Sequence, residues 1–262
     1  MTSNYTTKEE QTSGNIDNER APDIVPFLDE ALGKLHVTIF KKIIFINVGD
    51  LIFCPRQVSF RRLNPIPENQ NQEKYLVGRL LTIQLQEILL AKYPGQFEIE
   101  KQVQYNCSNY YSELGQGCIV YVLGKIDAFN KETGPFEFKT IPWTEKIREP
   151  RSFDVQQIKY YMTMTNSKTG VLLYYHLDPE FADCPTVKFP IVMTEEDIYS
   201  EHKKLVESAL LLSEAISAGK PEMAQHIAFE RELGWKCKSC PYSGDCKNMR
   251  IAATDFKSSG VS

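Results

Sequence analysis

From residue 75 to residue 93 (YLVGRLLTIQLQEILLAKY) apolar side chains return at intervals of three and four, the spacing of an amphipathic helix. Beyond it, runs rich in β-branched and aromatic residues predict strands at 97–105, 118–129 and 135–140, a helix over 154–165, and strands at 170–176 and 186–192. A long helix is predicted over 195–218, stopped by Gly219, which accepts a left-handed conformation, and by Pro221, which cannot continue a helix. Upstream, 35–60 (LHVTIFKKIIFINVGDLIFCPRQVSF) has a strand-like composition, and the polar 66–73 (IPENQNQE) reads as a loop ahead of the first helix. The order helix, three strands, helix, strand implies an α/β fold with a mixed sheet flanked by helices.

With 262 residues, 42% of them hydrophobic and 24% charged, the chain can bury one sizeable core. Residues 1–24 are polar, and an apolar-poor segment of this kind is expected to be a disordered tail. Residues 25–250 are expected to form a single domain and 251–262 a second tail. No apolar run approaches the roughly 20 residues that span a bilayer, and the first 24 residues lack a signal-peptide core, so the expectation is a cytoplasmic protein with no membrane partner. The net charge of −4 excludes a surface that is basic throughout; a local basic groove remains compatible with it.

The segment CIVYVLGKIDAFNKETGPFEFKT carries the first chemical signal. Side chains alternate along a strand, so Glu137 and Lys139 share one face while Phe136 and Phe138 are expected to enter the core. A hairpin centred near Glu132 sets Asp127 opposite Glu137. Two carboxylates and an ammonium then meet, an oxygen-ligand set suited to Mn or Mg, with Lys139 placed to orient a water at a phosphate. Taken alone, an Asp and a Glu-x-Lys also describe a solvated surface hairpin. On the next predicted helix Gln157 and Tyr161 stand four apart on one face, and both can hydrogen-bond a phosphate or a base.

Gly-x-Ile-Asp, Glu-x-Lys and Gln-Ile-x-x-Tyr, in that order, resemble the RecB-type branch of the restriction-endonuclease-like PD-(D/E)XK nucleases. The resemblance implies that Asp127, Glu137 and the Phe138 carbonyl hold Mn or Mg, that Lys139 is the catalytic lysine, and that Gln157 and Tyr161 contact DNA. Members of this branch carry Gly-Arg-x-x-His on the preceding helix. Here Gly78-Arg79-Leu80-Leu81 is followed by Thr82, a weak ligand, with Gln84 or Glu87 as alternatives.

Seven cysteines without a secretory signal suit metal ligation better than disulfides. Cys237, Cys240 and Cys246 form a tight trio, and Cys54, which like Cys240 precedes a proline, is the expected fourth ligand. A zinc site would more often show two close pairs; one distant cysteine plus a trio favours a [4Fe-4S] cluster. Cys107, Cys118 and Cys184 read as packing residues, and His36, His176, His202 and His226 form no metal-type pair. The arrangement resembles nucleases with an iron-sulfur staple, and the CRISPR-associated RecB-like exonucleases most of all, because no helicase phosphate loop is present. It implies a cluster lobe joining 45–65 to 225–250.

Arg56, Arg61 and Arg62 follow Cys54 with Phe53 and Phe60 interleaved, a pattern that either lines a DNA path or forms a solvated basic face. The expected activity is exonucleolytic hydrolysis of single-stranded DNA or DNA ends. The resemblance implies the processing of fragments for CRISPR spacer acquisition beside integrase proteins, and a homo-oligomer is compatible with it. A repair or recombination nuclease outside CRISPR, or a catalytically weak DNA-binding subunit, also fits these residues. Cleavage polarity and strand preference are not legible in them.

Overall fold

The computed structural model describes residues 42–66, 72–107, 118–141, 147–177, 186–225 and 234–247. The expected tails, 1–24 and 251–262, lie outside these residues, as do Cys184, His36 and His226. The described strands form one six-stranded mixed sheet: β1 (Lys42–Asn47), β2 (Glu98–Asn106), β3 (Cys118–Asn130), β4 (Gly134–Ile141), β5 (Thr169–His176) and β6 (Thr186–Val192). Among the described residues no helix is long and apolar enough to cross a membrane.

β3 is the spine of this sheet, with β2 antiparallel along one edge from Tyr121 to Phe129. Its other edge is divided: β1 runs parallel to Cys118–Leu123, and β4 turns back antiparallel against 128–130. The sheet therefore forks at 124–127, the stretch of this edge that neither ladder covers. β5 lies parallel to β4, and β6 closes the far edge.

α3 (Gln72–Lys92) and α4 (Ser152–Thr165) agree with the spacing in the sequence to within a few residues, and α5 (Glu195–Ala218) matches it. The α5 boundaries follow from capping chemistry: Thr194 and Asp197 form a reciprocal capping box, and Gly219 ends the helix at φ 67°. Burial of Leu205, Val206, Ala209 and Leu212 sets this helix on Ile44, Ile46, Val120 and Val122 of β1 and β3. Glu201, 4% exposed, accepts from Gln156 at 2.7 Å and pairs with Lys204 at 3.0 Å and Lys159 at 3.5 Å, tying α5 to α4.

Of the stretch 35–60, residues 42–47 form β1 in line with their composition, 35–41 lie outside the described residues, and 48–60 depart from it. Past Asn47 the chain turns into α1 (Val48–Ile52) and α2 (Pro55–Leu63). Asn47 and Asp50 form a capping box, and Pro55, which has no N–H to lose, opens α2. Two start signals thus override the propensity of Ile, Phe and Val for strand. Phe138 is buried as expected, yet Glu137 on the opposite face is only 5% exposed, because helices cover both faces of β4.

Gly134 begins β4 at φ 78°, and a Cβ there would stand 2.0 Å from the Thr169 carbonyl oxygen. Gly95 has a similar φ of 74° with open space around it. Gly134→Ala is therefore expected to cost more than about 2 kcal/mol, and Gly95→Ala about 1 kcal/mol from backbone strain alone. Urea denaturation of the two variants measures the difference.

Candidate active site

The turn that delivers the carboxylates is built from Asn130, whose side-chain oxygen accepts the N–H groups of Glu132 and Thr133 at 2.8 and 3.1 Å. Asn130 pairs with Gly134, Phe129 with Pro135 and Ala128 with Phe136, which centres the hairpin on Glu132 as the sequence implied. One residue further the Asp127 carboxylate accepts the Phe138 N–H at 2.8 Å. Its other fixed contact runs through the backbone: Gln86 of α3, 5% exposed, donates to the Asp127 carbonyl at 2.9 Å.

Lys139 is the hub. Its Nζ donates to Glu137 Oε1 at 2.8 Å and to Gln157 Oε1 at 2.7 Å, and lies 3.5 Å from Asp154 Oδ1. Gln157 in turn donates to the Tyr161 hydroxyl at 3.2 Å, so the two residues four apart on α4 form one chain of hydrogen bonds leading to the lysine. A Cβ on residue 124 would meet the Tyr161 ring at 2.7 Å, so glycine at the head of Gly-Lys-Ile-Asp is what lets Tyr161 close over β3. Asp127, Glu137, Lys139, Gln157 and Tyr161 are thereby brought together.

Two members of the site were not read from the sequence. Asp154, 2% exposed, accepts from Tyr174 at 2.7 Å and supplies the second carboxylate beside Lys139. Its signal was present as an acidic residue in the first turn of α4, three positions before Gln157. Gln86 lies eight residues after Gly78 and had no motif to mark it. Thr82 spends its hydroxyl on the Gly78 carbonyl of its own helix at 3.1 Å, and Gln84 and Glu87 are exposed.

Burial pushes the Glu137 carboxyl up to about 7 against the opposing pull of Lys139. Burial also raises Asp127 and Tyr161. Burial works against the Lys139 ammonium, but the carboxylates of Glu137, Asp154 and Asp127 outweigh it, so the lysine stays charged well above its ordinary range. Glu137 Oε2 is buried without a hydrogen-bond partner. A buried oxygen of this kind is costly to leave unmet, and two convergent carboxylates are a fit for a hard divalent cation. Among the described residues no group of three His, Cys, Asp or Glu side chains is set to hold a metal. Beside it a cleft of about 600 Å³ opens at the fork of the sheet, lined by Asn47, Gly49, Gln102, Gln104, Lys125 and Tyr161.

The four cysteines lie where segments distant in sequence meet. Cys54 caps α2, Cys237 lies in α6 (Gly234–Lys238), and Cys240 and Cys246 pack with Phe60 and Tyr242. All four are free thiols. Burial raises the pKa of Cys240, and the charges of Cys54, Cys237 and Cys246 add to that rise, so the four occupy one neighbourhood without standing in ligating geometry. Phe60 stacks on Tyr242 at 5.4 Å, and the Tyr242 hydroxyl donates to the Asn64 carbonyl at 2.8 Å. Cys107 is fully buried in the core and Cys118 is half-buried.

The three arginines have internal partners. Arg56 donates to the carbonyls of Ala224 at 3.2 Å and Glu222 at 3.0 Å, while Arg61 pairs with Asp50 at 3.0 Å. Arg62 donates to the Phe45 carbonyl at 2.8 Å. They staple α2 to its surroundings while Arg61 and Arg62 stay exposed, and Phe60, next to Arg61, is buried.

No protein-family model and no curated protein matches the chain. Among solved structures it is similar to the crystal structure of SSO0001, with a TM-score of 0.52 and 19% identity over 84% of this chain and 94% of that one. It is also similar to an alkaline exonuclease (LHK-Exo) from Laribacter hongkongensis, with a TM-score of 0.45 and 13% identity over 71% and 95%. A phage-related exonuclease from Haemophilus somnus 129PT gives 0.42 and 11% over 63% and 81%. The first likeness is one of fold: a mixed sheet flanked by helices.

Because burial raises the folded pKa of Glu137 above its ordinary value of 4.5 to about 7, the native state holds the extra proton between those values, and stability is lost as pH rises through that window. Glu137→Gln is expected to be more stable than wild type at pH 8 in EDTA, with the gain shrinking toward pH 4.5. Thermal melts across pH check the sign.

Proposed function

We propose that the chain is a metal-dependent DNA exonuclease of the RecB-type PD-(D/E)XK kind. The observation that carries this reading is the Glu137 Oε2 atom, buried and unpartnered beside Asp127 and Lys139. Asp127, Glu137 and the Phe138 carbonyl would hold Mn or Mg. When bound, the metal polarises the scissile phosphate and lowers the pKa of a coordinated water. Lys139, its charge secured by Glu137 and Asp154, directs its ammonium at the phosphate oxygen where negative charge develops. Gln157, oriented by Tyr161, fixes the lysine's direction and has hydrogen-bonding capacity for a phosphate or base. Asp154 is a positioning residue, held in turn by Tyr174.

The second component of the proposal is a [4Fe-4S] cluster on Cys54, Cys237, Cys240 and Cys246, supported by the spacing of the trio and by the gathering of four free thiols from opposite ends of the domain. On the same resemblance, the substrate is single-stranded DNA or DNA ends. The role would be the processing of fragments for CRISPR spacer acquisition alongside integrase proteins. The bonding of Thr82 to its own helix favours a second reading, a weakly catalytic DNA-binding subunit, because a hydroxyl engaged in this way is a weak ligand where the resemblance implies a histidine.

The deciding experiment incubates end-labelled single-stranded DNA with the full chain in Mn or in EDTA. Mn-dependent shortening of the label is expected, and binding without any cleavage would select the second reading. Lys139→Ala should lower the cleavage rate by about 10²–10³-fold and leave DNA binding in place. Because Glu137 must lose its proton to hold a cation, stabilisation of the wild type by Mn should grow as pH rises through about 7 and vanish in Glu137→Gln. Anaerobically purified protein should contain iron and absorb at about 400 nm, and Cys240→Ser should lose both the colour and part of the melting temperature.

A further inference from the structure

Next in sequence to the candidate site and the cysteines lies an arrangement that neither of them accounts for. Phe53, at the end of α1, and Phe153, in the first turn of α4, have ring centroids 5.9 Å apart with planes tilted by 49°. Lys236 of α6 places its Nζ 3.1 Å from the Phe53 centroid and 5.3 Å from that of Phe153. The Arg151 guanidinium lies 5.8 Å from the Phe153 centroid. Phe53 is 38% exposed, unusual for a ring of this size at the junction of three segments.

Chain position links this group to both centres. Phe153 is followed by Asp154 of the lysine hub, Phe53 by Cys54 and Lys236 by Cys237. Lys236 is within electrostatic reach of Asp154, Lys139 and Cys54. The protein is net acidic, and Arg56, Arg61 and Arg62 are engaged with internal carbonyls and Asp50, so cations held beside the site matter more than their number suggests.

We propose that Phe53, Phe153, Lys236 and Arg151 form a ledge that binds one nucleotide of single-stranded DNA next to the nucleotide whose phosphate meets Lys139. The base stacks on Phe53, which is 38% exposed. Lys236 and Arg151, both already held over aromatic rings, take the adjoining phosphates. Stacking on a protein ring needs a base whose face is free, and bases inside a duplex have none to offer, so the ledge selects single strands. This inference rests on the nuclease reading and names the substrate class of that same site.

The test uses the full chain in EDTA, where cleavage is silent, and fluorescence anisotropy with a labelled oligo-dT and an abasic strand of equal length. Phe53→Leu, which keeps apolar bulk, is expected to weaken oligo-dT binding about tenfold, the loss of one stacked base, with no change in the slope of affinity against salt. The same variant should bind the abasic strand as wild type does, and Phe53→Tyr should retain oligo-dT affinity. Lys236→Gln should reduce the log–log salt slope by about 0.7, the contribution of one phosphate on a single strand. If wild type binds and cleaves DNA while Phe53→Leu and Lys236→Gln bind as it does, the ledge is refuted and the nuclease reading stands. If the ring and the cation serve only to hold α6 in place, the variants lower the melting temperature and leave base dependence and salt slope intact, which also refutes it. A wild type that neither binds nor cleaves DNA overturns both readings.

Discussion

Lys139 stands half-buried among carboxylates, and the arrangement around it follows from the cost of withdrawing its ammonium from water. An ammonium taken out of water is destabilising by several kcal/mol unless opposite charge and hydrogen bonds surround it. Glu137, Asp154 and Gln157 meet this need from two elements, β4 and α4. The register between that strand and that helix is therefore fixed: a slip of one residue on β4 turns Lys139 to the other face and strands the acids. Under the nuclease reading the lysine couples a packing requirement to a chemical one, since the group that enforces the geometry is also the one assigned to the substrate phosphate.

A second constraint comes from β3. Its edge is shared between a parallel and an antiparallel neighbour, and between them four residues are left to the site. At the start of this gap glycine makes room for Tyr161; at its end Asp127 turns its carboxylate to the Phe138 N–H, outside the regular β3–β4 ladder. The gap and the cleft that opens beside it are products of topology. They require α3 behind the hairpin, and Gln86 contributes there by holding the Asp127 backbone.

The cysteine region shows how the two halves of the domain are joined even by ordinary contacts. Arg56 reaches carbonyls at 222 and 224, and Tyr242 bonds the chain at Asn64 and stacks on Phe60. Contacts between residues so distant in sequence close a long loop, so a cross-link at this place contributes to stability by restricting the unfolded chain. The same joint brings α6, with Lys236, to the wall of the candidate site.

Local chemistry legible in the sequence determined much of this. Helix boundaries over α4 and α5 follow from apolar spacing and caps, the hairpin centre at Glu132 from the turn residues, and the meeting of Asp127, Glu137 and Lys139 from strand alternation. Gln157 and Tyr161 were legible because four-residue spacing on a helix fixes a common face. Tertiary structure alone decided the rest. The composition of 35–60 pointed to strand, whereas capping at Asn47 and Pro55 made helices that pack under the C-terminal segment. Asp154 and Gln86 join the site because α4 and α3 dock against β3 and β4, a juxtaposition that no local spacing encodes. The sequence left the arginines after Cys54 as either a substrate path or a solvated basic face; the fold adds their partners, Asp50 and backbone carbonyls, while Arg61 and Arg62 stay exposed.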